Sequence, residues 1–173
     1  MALLKILQYP DPRLKRKAVP VKDVHDPEIQ RIIDDMFKTM YAKKHCAGLS
    51  STQLDLEIPW AITVIDESAD NKQPMCLINP EIISTEGTAT YSEACMSVYP
   101  SEISAKVTRP EKVTFRALDH NGDKIEMTAE GFFAICFQHE FDHLNGKLFI
   151  DHLSPLKRKL VDKKIKKVRK QQQ

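Results

Sequence analysis

Apolar side chains along this chain recur first with the period of a helix and then with that of a strand. Ile29, Ile32, Ile33, Met36, Phe37 and Met40 fall three and four apart, which is one face of an α-helix. Asp26-Pro27-Glu28 supplies a side-chain cap and a proline at the first helical position, so a helix is predicted over 27–43. Its Met/Ile stripe reads as core packing, not as a cofactor site. From Trp60 to Leu118 the apolar runs shorten and become β-like, at 61–65, 75–78 and 112–118. Asn121-Gly122 separates the last run from 124–128, a hairpin signal because both residues tolerate positive φ. A helix is predicted over 131–145, and Leu153-Ser154-Pro155 opens a final one. In that last helix Leu156, Leu160, Val161, Ile165 and Val168 form an apolar stripe through 156–169, and Gln171 to Gln173 should fray. The fold class is α+β: mostly antiparallel strands around a central helix, with residues 1–173 as one domain.

Composition narrows the class more than the function. A chain of 173 residues, 42% hydrophobic and 29% charged, has the make-up of an ordinary soluble domain with a sizeable core. No apolar run approaches the ~20 residues of a membrane span. Met1 to Leu7 lacks the h-region and cleavage site of a signal peptide. Four scattered cysteines make no disulfide framework, which favours a reducing cytosol, so the expected location is cytoplasmic. The net charge of +2 is unevenly spread. Between Lys157 and Lys170 there are nine Lys or Arg and one acid, Asp162, which leaves −6 on the rest. A basic tail on an acidic body suggests an anionic partner, although a solvated charged face is the commoner fate of such a run. Neither a membrane nor a specific DNA site is expected.

The chemistry is concentrated in His139-Glu140-Phe141-Asp142-His143. On a helix the two histidines project from one face toward one metal ion, with Glu140 beside it as a general base. A third protein ligand is then needed. The metzincin continuation fails because Phe149 stands where the last histidine belongs, no glutamate follows Glu140, and His152, Asp151 and Asp162 downstream stand at no recognised spacing. That leaves the upstream cysteines Cys46, Cys76, Cys95 and Cys136. Cys136, three residues before His139, shares its face by spacing, but its apolar neighbours argue for packing.

Gln138-His139-Glu140-Phe141-Asp142-His143-Leu144-Asn145-Gly146 resembles the QHExDHLxG motif of peptide deformylases. Glu93-Ala94-Cys95-Met96-Ser97 resembles their EGCLS motif, and 46–53 their GxGxAAxQ motif. The three stand in the family's order, and the likeness extends from 6–14 through 153–157. The resemblance implies removal of the formyl group from N-formylmethionyl nascent peptides, releasing formate. It implies a metal shell of Cys95, His139 and His143, with Fe(2+) as the ion and Zn(2+), Ni(2+) or Co(2+) as substitutes. Glu140 would be the base, and the Gln53 amide and Met96 N–H would donate to the developing oxyanion. Glu93 and Asp142 are expected to orient metal-bound histidines. Gly48, Tyr91, Glu93, Phe132, Ile135 and Cys136 are expected to contact substrate, with Phe132 and Tyr91 narrowing the methionine pocket. The C-terminal basic helix would meet the ribosome.

Departures from the pattern bear on substrate affinity more than on chemistry. Cys46 replaces the first glycine, Ser50 and Ser51 the paired alanines, Ala94 the second-motif glycine and Met96 its leucine. If Ala94 must adopt positive φ, it costs on the order of 1 kcal/mol. No arginine follows the second motif within 98–103. Two alternatives stand beside the main reading. One is a metal amidase of the same fold with a shifted acyl preference. The other is a ribosome-associated binding module with little or no activity.

Overall fold

The computed structural model describes residues 1–173. Helix α1 (Pro27–Tyr41) begins where its sequence dictates: the Asp26 carboxylate accepts from the Glu28 N–H at 2.8 Å and Pro27 takes the first turn. Ile29, Ile32, Ile33, Met36 and Met40 are buried on its inner face. Each such side chain contributes about 1.5–3 kcal/mol on leaving water. That face covers β1 (Gly48–Ser50) and β2 (Ile62–Ile65), where Leu49, Ile62 and Val64 meet it.

The main sheet is antiparallel throughout, in the order β1-β2-β3-β6-β7, with β3 at Met75–Glu86, β6 at Lys112–Leu118 and β7 at Lys124–Glu130. A separate ribbon pairs β4 (Ala89–Glu93) with β5 (Ala105–Arg109). The predicted hairpin forms, but by a different turn. Leu118 pairs with Lys124, so residues 119–123 connect the strands, and only Gly122 has positive φ. Asp119 organises this loop, its Oδ1 accepting from the N–H groups of Asn121 and Asp123. A side-chain acceptor at the loop's first position therefore outweighs the Asn-Gly preference.

Helix α2 (Gly131–Leu144) packs across β1, β2, β6 and β7. Phe137 stacks on Phe115 of β6 with ring centroids 4.0 Å apart, fixing the helix on the sheet. Its C-terminal end is fixed by Gly146, at φ +73, where a Cβ would come within 2.4 Å of the Lys15 carbonyl oxygen. No side chain fits there. Helix α3 (Pro155–Gln171) starts at Ser154, which caps Lys157 N–H. Its apolar stripe is narrower than predicted: Ile165 and Val168 are buried, whereas Leu156 and Leu160 are exposed. The cluster that receives Ile165 includes Phe149, Leu7 and Cys95. No helix is long and apolar enough to cross a membrane.

Candidate metal centre and active site

The i, i+4 spacing on α2 brings His139 and His143 side by side, with their Nε2 atoms 3.2 Å apart. The residues after β4 bring Cys95 to them, with Sγ 3.3 Å from His143 Nε2. All three ligand atoms lie within 4.8 Å of one another and all three residues are buried. Separations near 3.3 Å are those between ligands on one tetrahedral ion with bonds of about 2.0–2.3 Å. Burial pushes the His143 pKa well below the ordinary histidine value, which favours the neutral imidazole. Its Nδ1 has no hydrogen-bond partner. The donor set fits a divalent ion, and Cys136 is not part of it.

Behind the histidines lies a buried ionic line. His139 Nδ1 meets Glu93 Oε1 at 2.9 Å. Arg109 grips Glu93 with two nitrogens, Nε to Oε2 at 2.7 Å and Nη2 to Oε1 at 3.0 Å. Its Nη1 donates to Asp142 Oδ2 at 2.8 Å. Burial alone would raise the Glu93 pKa, but hydrogen bonds from His139 and Arg109 outweigh it and hold the carboxyl below its ordinary range. Glu93 therefore holds one histidine of the pair through its Nδ1. Asp142 does not: it touches neither histidine and binds Arg109 and His152 instead.

Glu140 is 4% exposed, and burial raises its pKa against the pull of His139 and of a hydrogen bond from Ser50. That hydroxyl donates to Oε2 at 2.6 Å. The carboxylate also lies against Gly48, where a Cβ would come 2.9 Å from Oε1, so any side chain at 48 would displace it. Gln53 is fixed at both ends: Oε1 accepts from Ser50 N–H at 2.9 Å and Nε2 donates to Ser97 Oγ at 3.1 Å. Nε2 also stands 3.5 Å from Cys95 Sγ. The Met96 carbonyl accepts from Gln8, and its N–H has no protein acceptor.

These groups open on a cavity of about 210 Å³ lined by Gly48, Gln53, Glu93, Cys95, Met96, Phe132, Ile135, Cys136, His139 and Glu140, among others. Tyr91 is absent from this wall. Two residues before Glu93 on β4, it is 37% exposed, so it does not narrow the pocket. Phe132 does line the cavity but is 54% exposed, at the rim between this cavity and a neighbouring polar one.

The family model for polypeptide deformylase matches residues 3–159. The chain belongs to the peptide deformylase family. Peptide deformylase 1 of Coxiella burnetii is 52% identical over 169 residues, covering 98% of both chains. Peptide deformylase 2 of Xanthomonas campestris is 48% identical over 172 residues, again covering 98% of each. A peptide deformylase crystal structure from Legionella pneumophila superposes with a TM-score of 0.90 at 43% identity, covering 99% of this chain and 98% of that one. The reaction is that of the family: a hydrolase removes the N-formyl group from formyl-methionine peptides.

With the deformylase fold in view, the departures in the motifs take on physical meaning. Ala94 has no positive φ, so the expected strain is absent. Neither does Cys46, and the left-handed residue there is His45, at φ 58. The Cys46 thiol is half-buried beside the cavity, and burial, then the Glu140 carboxylate, push its pKa up to about 12. Ser50 is the informative departure. Where the motif has an alanine, this deformylase has a hydroxyl bonded to the proposed base. Arg109 goes unrecognised in the sequence and His152 is set aside as a ligand on spacing, yet both belong to the line behind His139.

Proposed function

We propose that Cys95 Sγ and the Nε2 atoms of His139 and His143 hold one divalent ion, Fe(2+) in the cell, with Zn(2+), Ni(2+) or Co(2+) as substitutes. The observation that carries the reading is the convergence of one cysteine sulfur and two imidazoles beside a buried glutamate, with Cys95, His139 and Glu140 on the wall of one cavity and His143 buried just behind it. Such an ion supplies the Lewis acidity that makes water a nucleophile near neutral pH.

This chain's own residues do the rest. Ser50 occupies Glu140 Oε2, which leaves Oε1 to take the proton of the attacking water and return it to the departing amine nitrogen. Formate and a free N-terminus result. Gln53 Nε2 and the Met96 N–H donate to the formyl oxygen as it gains charge, and donors of this kind are worth about 2.7–4 kcal/mol each. Gly48 gives the carboxylate room. Phe132, Ile135 and Cys136 form the wall against which the methionine side chain packs, where a flexible thioether suits a small apolar slot. Formyl-norleucine peptides should be processed far better than formyl-phenylalanine ones, and equal rates would refute that pocket. Residues 1–173 act as one catalytic domain, in the cytoplasm.

The seven lysines of α3 are exposed and make no ion pair, which supports ribosome contact through that helix, dominated by phosphate and steeply salt-dependent. Removing the helix would also remove Ile165 from the core, so the contact is tested by charge reversal. Lys159, Lys163 and Lys166 changed to Glu should abolish low-salt co-sedimentation with ribosomes while small-peptide turnover persists.

The test of the whole reading is formate release from formyl-Met-Ala-Ser by anaerobically purified protein, with its metal content measured. About one iron per chain and loss of turnover on chelation are expected. Full turnover after the ion is stripped would refute the metal centre, and full turnover after prolonged aerobic handling without zinc or nickel would refute iron.

A further inference from the structure

The line behind His139 does not end at Asp142. Asp142 Oδ2 accepts twice, from Arg109 Nη1 at 2.8 Å and from His152 Nε2 at 2.7 Å. From the surface inward the sequence is His152, Asp142, Arg109, Glu93, His139, each member hydrogen-bonded to the next. Arg109 is 4% exposed and commits all three of its nitrogens to two carboxylates. A guanidinium so deeply buried depends on both of them, because water cannot replace a lost partner there. Asp142 is the weaker of the two anchors, since its side chain is partly open to solvent. His152 closes that side and holds the carboxylate in the rotamer that Arg109 needs.

The same short 3-10 turn, Phe149–His152, reaches the centre a second time. The Phe149 ring stacks on His139 with centroids 6.0 Å apart and planes 23° from parallel. The turn is itself tied down, with Asp151 accepting from Leu148 N–H at 2.8 Å and from Arg158 of α3 at 2.7 Å. One rigid turn thus supplies both a ring against the ligand's face and the outer end of the line that sets its Nδ1.

We infer that His152, which touches neither cavity nor ligand, is a positioning residue for His139. By holding Asp142 and through it Arg109 and Glu93, it fixes the tautomer and ring angle that aim Nε2 at the ion. The inference rests on the reading of Cys95, His139 and His143 as the metal centre.

The experiment is chelator competition against Co(2+)-loaded protein, followed by the ion's visible absorption, for wild type, His152→Leu and His152→Gln. Glutamine keeps a donor nitrogen where Nε2 stood, and leucine does not. Direct partners of ligands cost 10–100-fold in affinity when lost, so His152→Leu, three residues further out than Glu93, should weaken cobalt binding by about 3–10-fold. His152→Gln should stay within about twofold of wild type, with equal melting temperatures for the metal-free proteins as the check on folding. Leucine binding like wild type, or glutamine weakened as much as leucine, would overturn the inference. Cys95→Ala binding cobalt as tightly as wild type, or wild type binding none, would instead overturn the metal centre, and the inference with it.

Discussion

Helices α2 and α3 both carry many polar side chains, but α2 keeps several of them inside and α3 keeps them outside. On α2, Gln138, Glu140 and His143 are buried, and each is met by a specific partner, with only His143 Nδ1 left without one. Gln138 donates to the carbonyls of Pro110 and Ala134, Glu140 accepts from Ser50, and His143 faces Cys95 and His139. On α3 only Ile165 and Val168 are buried. An unpartnered buried polar group costs several kcal/mol, so a helix like α2 is tolerated only if the rest of the fold is built around it. Exposed charges impose no such demand. Buried polarity therefore marks where the chemistry is, whereas exposed charge leaves partner and solvent indistinguishable without a binding measurement.

The largest test of that contrast lies beside α2. Cys95→Ala should weaken metal binding by more than about 10²-fold, as three ligands become two, whereas Cys136→Ala should leave affinity intact and cost roughly 1 kcal/mol of stability. Metal analysis after desalting and urea melts would decide, and metal lost only with Cys136 would reverse the assignment. Next comes packing on α3. Ile165→Ala should cost about 2–5 kcal/mol, whereas Leu160→Ala should change stability by less than about 0.5 kcal/mol. Equal costs would mean that the exposed half of the stripe is also packed.

Smaller still is Ser50→Ala. A hydrogen bond to a charged acceptor is worth about 1.5–3 kcal/mol, and losing part of that in positioning Glu140 should lower turnover roughly tenfold with metal content unchanged. An unaltered rate would make the hydroxyl a bystander. The smallest expected signal is at Cys46. With its pKa raised to about 12, the thiol stays protonated and unreactive as pH rises through the ordinary cysteine value near 8.5, and becomes alkylatable there only on unfolding. Rapid iodoacetamide labelling of folded protein at pH 8 would contradict it.

What the sequence revealed follows from how local each signal is. The caps of α1 and α3, the strand over 112–118 and the histidine pair on α2 are set by residues within a few positions of one another, and they form as predicted. Strands β4 and β5 have no comparable signature. Ala89–Glu93 is polar and mostly exposed, and Arg109 ends β5 as a buried charge, which no alternation rule anticipates. The outer half of β3 escaped for the same reason, since its exposed residues are held by pairing with β6. At the site, His139, Glu140 and His143 could be read from spacing and Cys95 from its motif. Arg109 and His152 could not, because β5, α2 and the turn at 149–152 meet only in the folded chain. The periodicity of α3 was right, but the surface that receives it covers Ile165 and Val168 and not Leu156 or Leu160.

The central claim is that a buried glutamate beside a Cys-His-His centre is the proton carrier of a deformylase. Its most direct test is formate release by Glu140→Gln alongside metal content in the same preparation. The account predicts unchanged metal occupancy with turnover reduced by roughly 10²-fold or more. Near-normal turnover with the metal retained would contradict it.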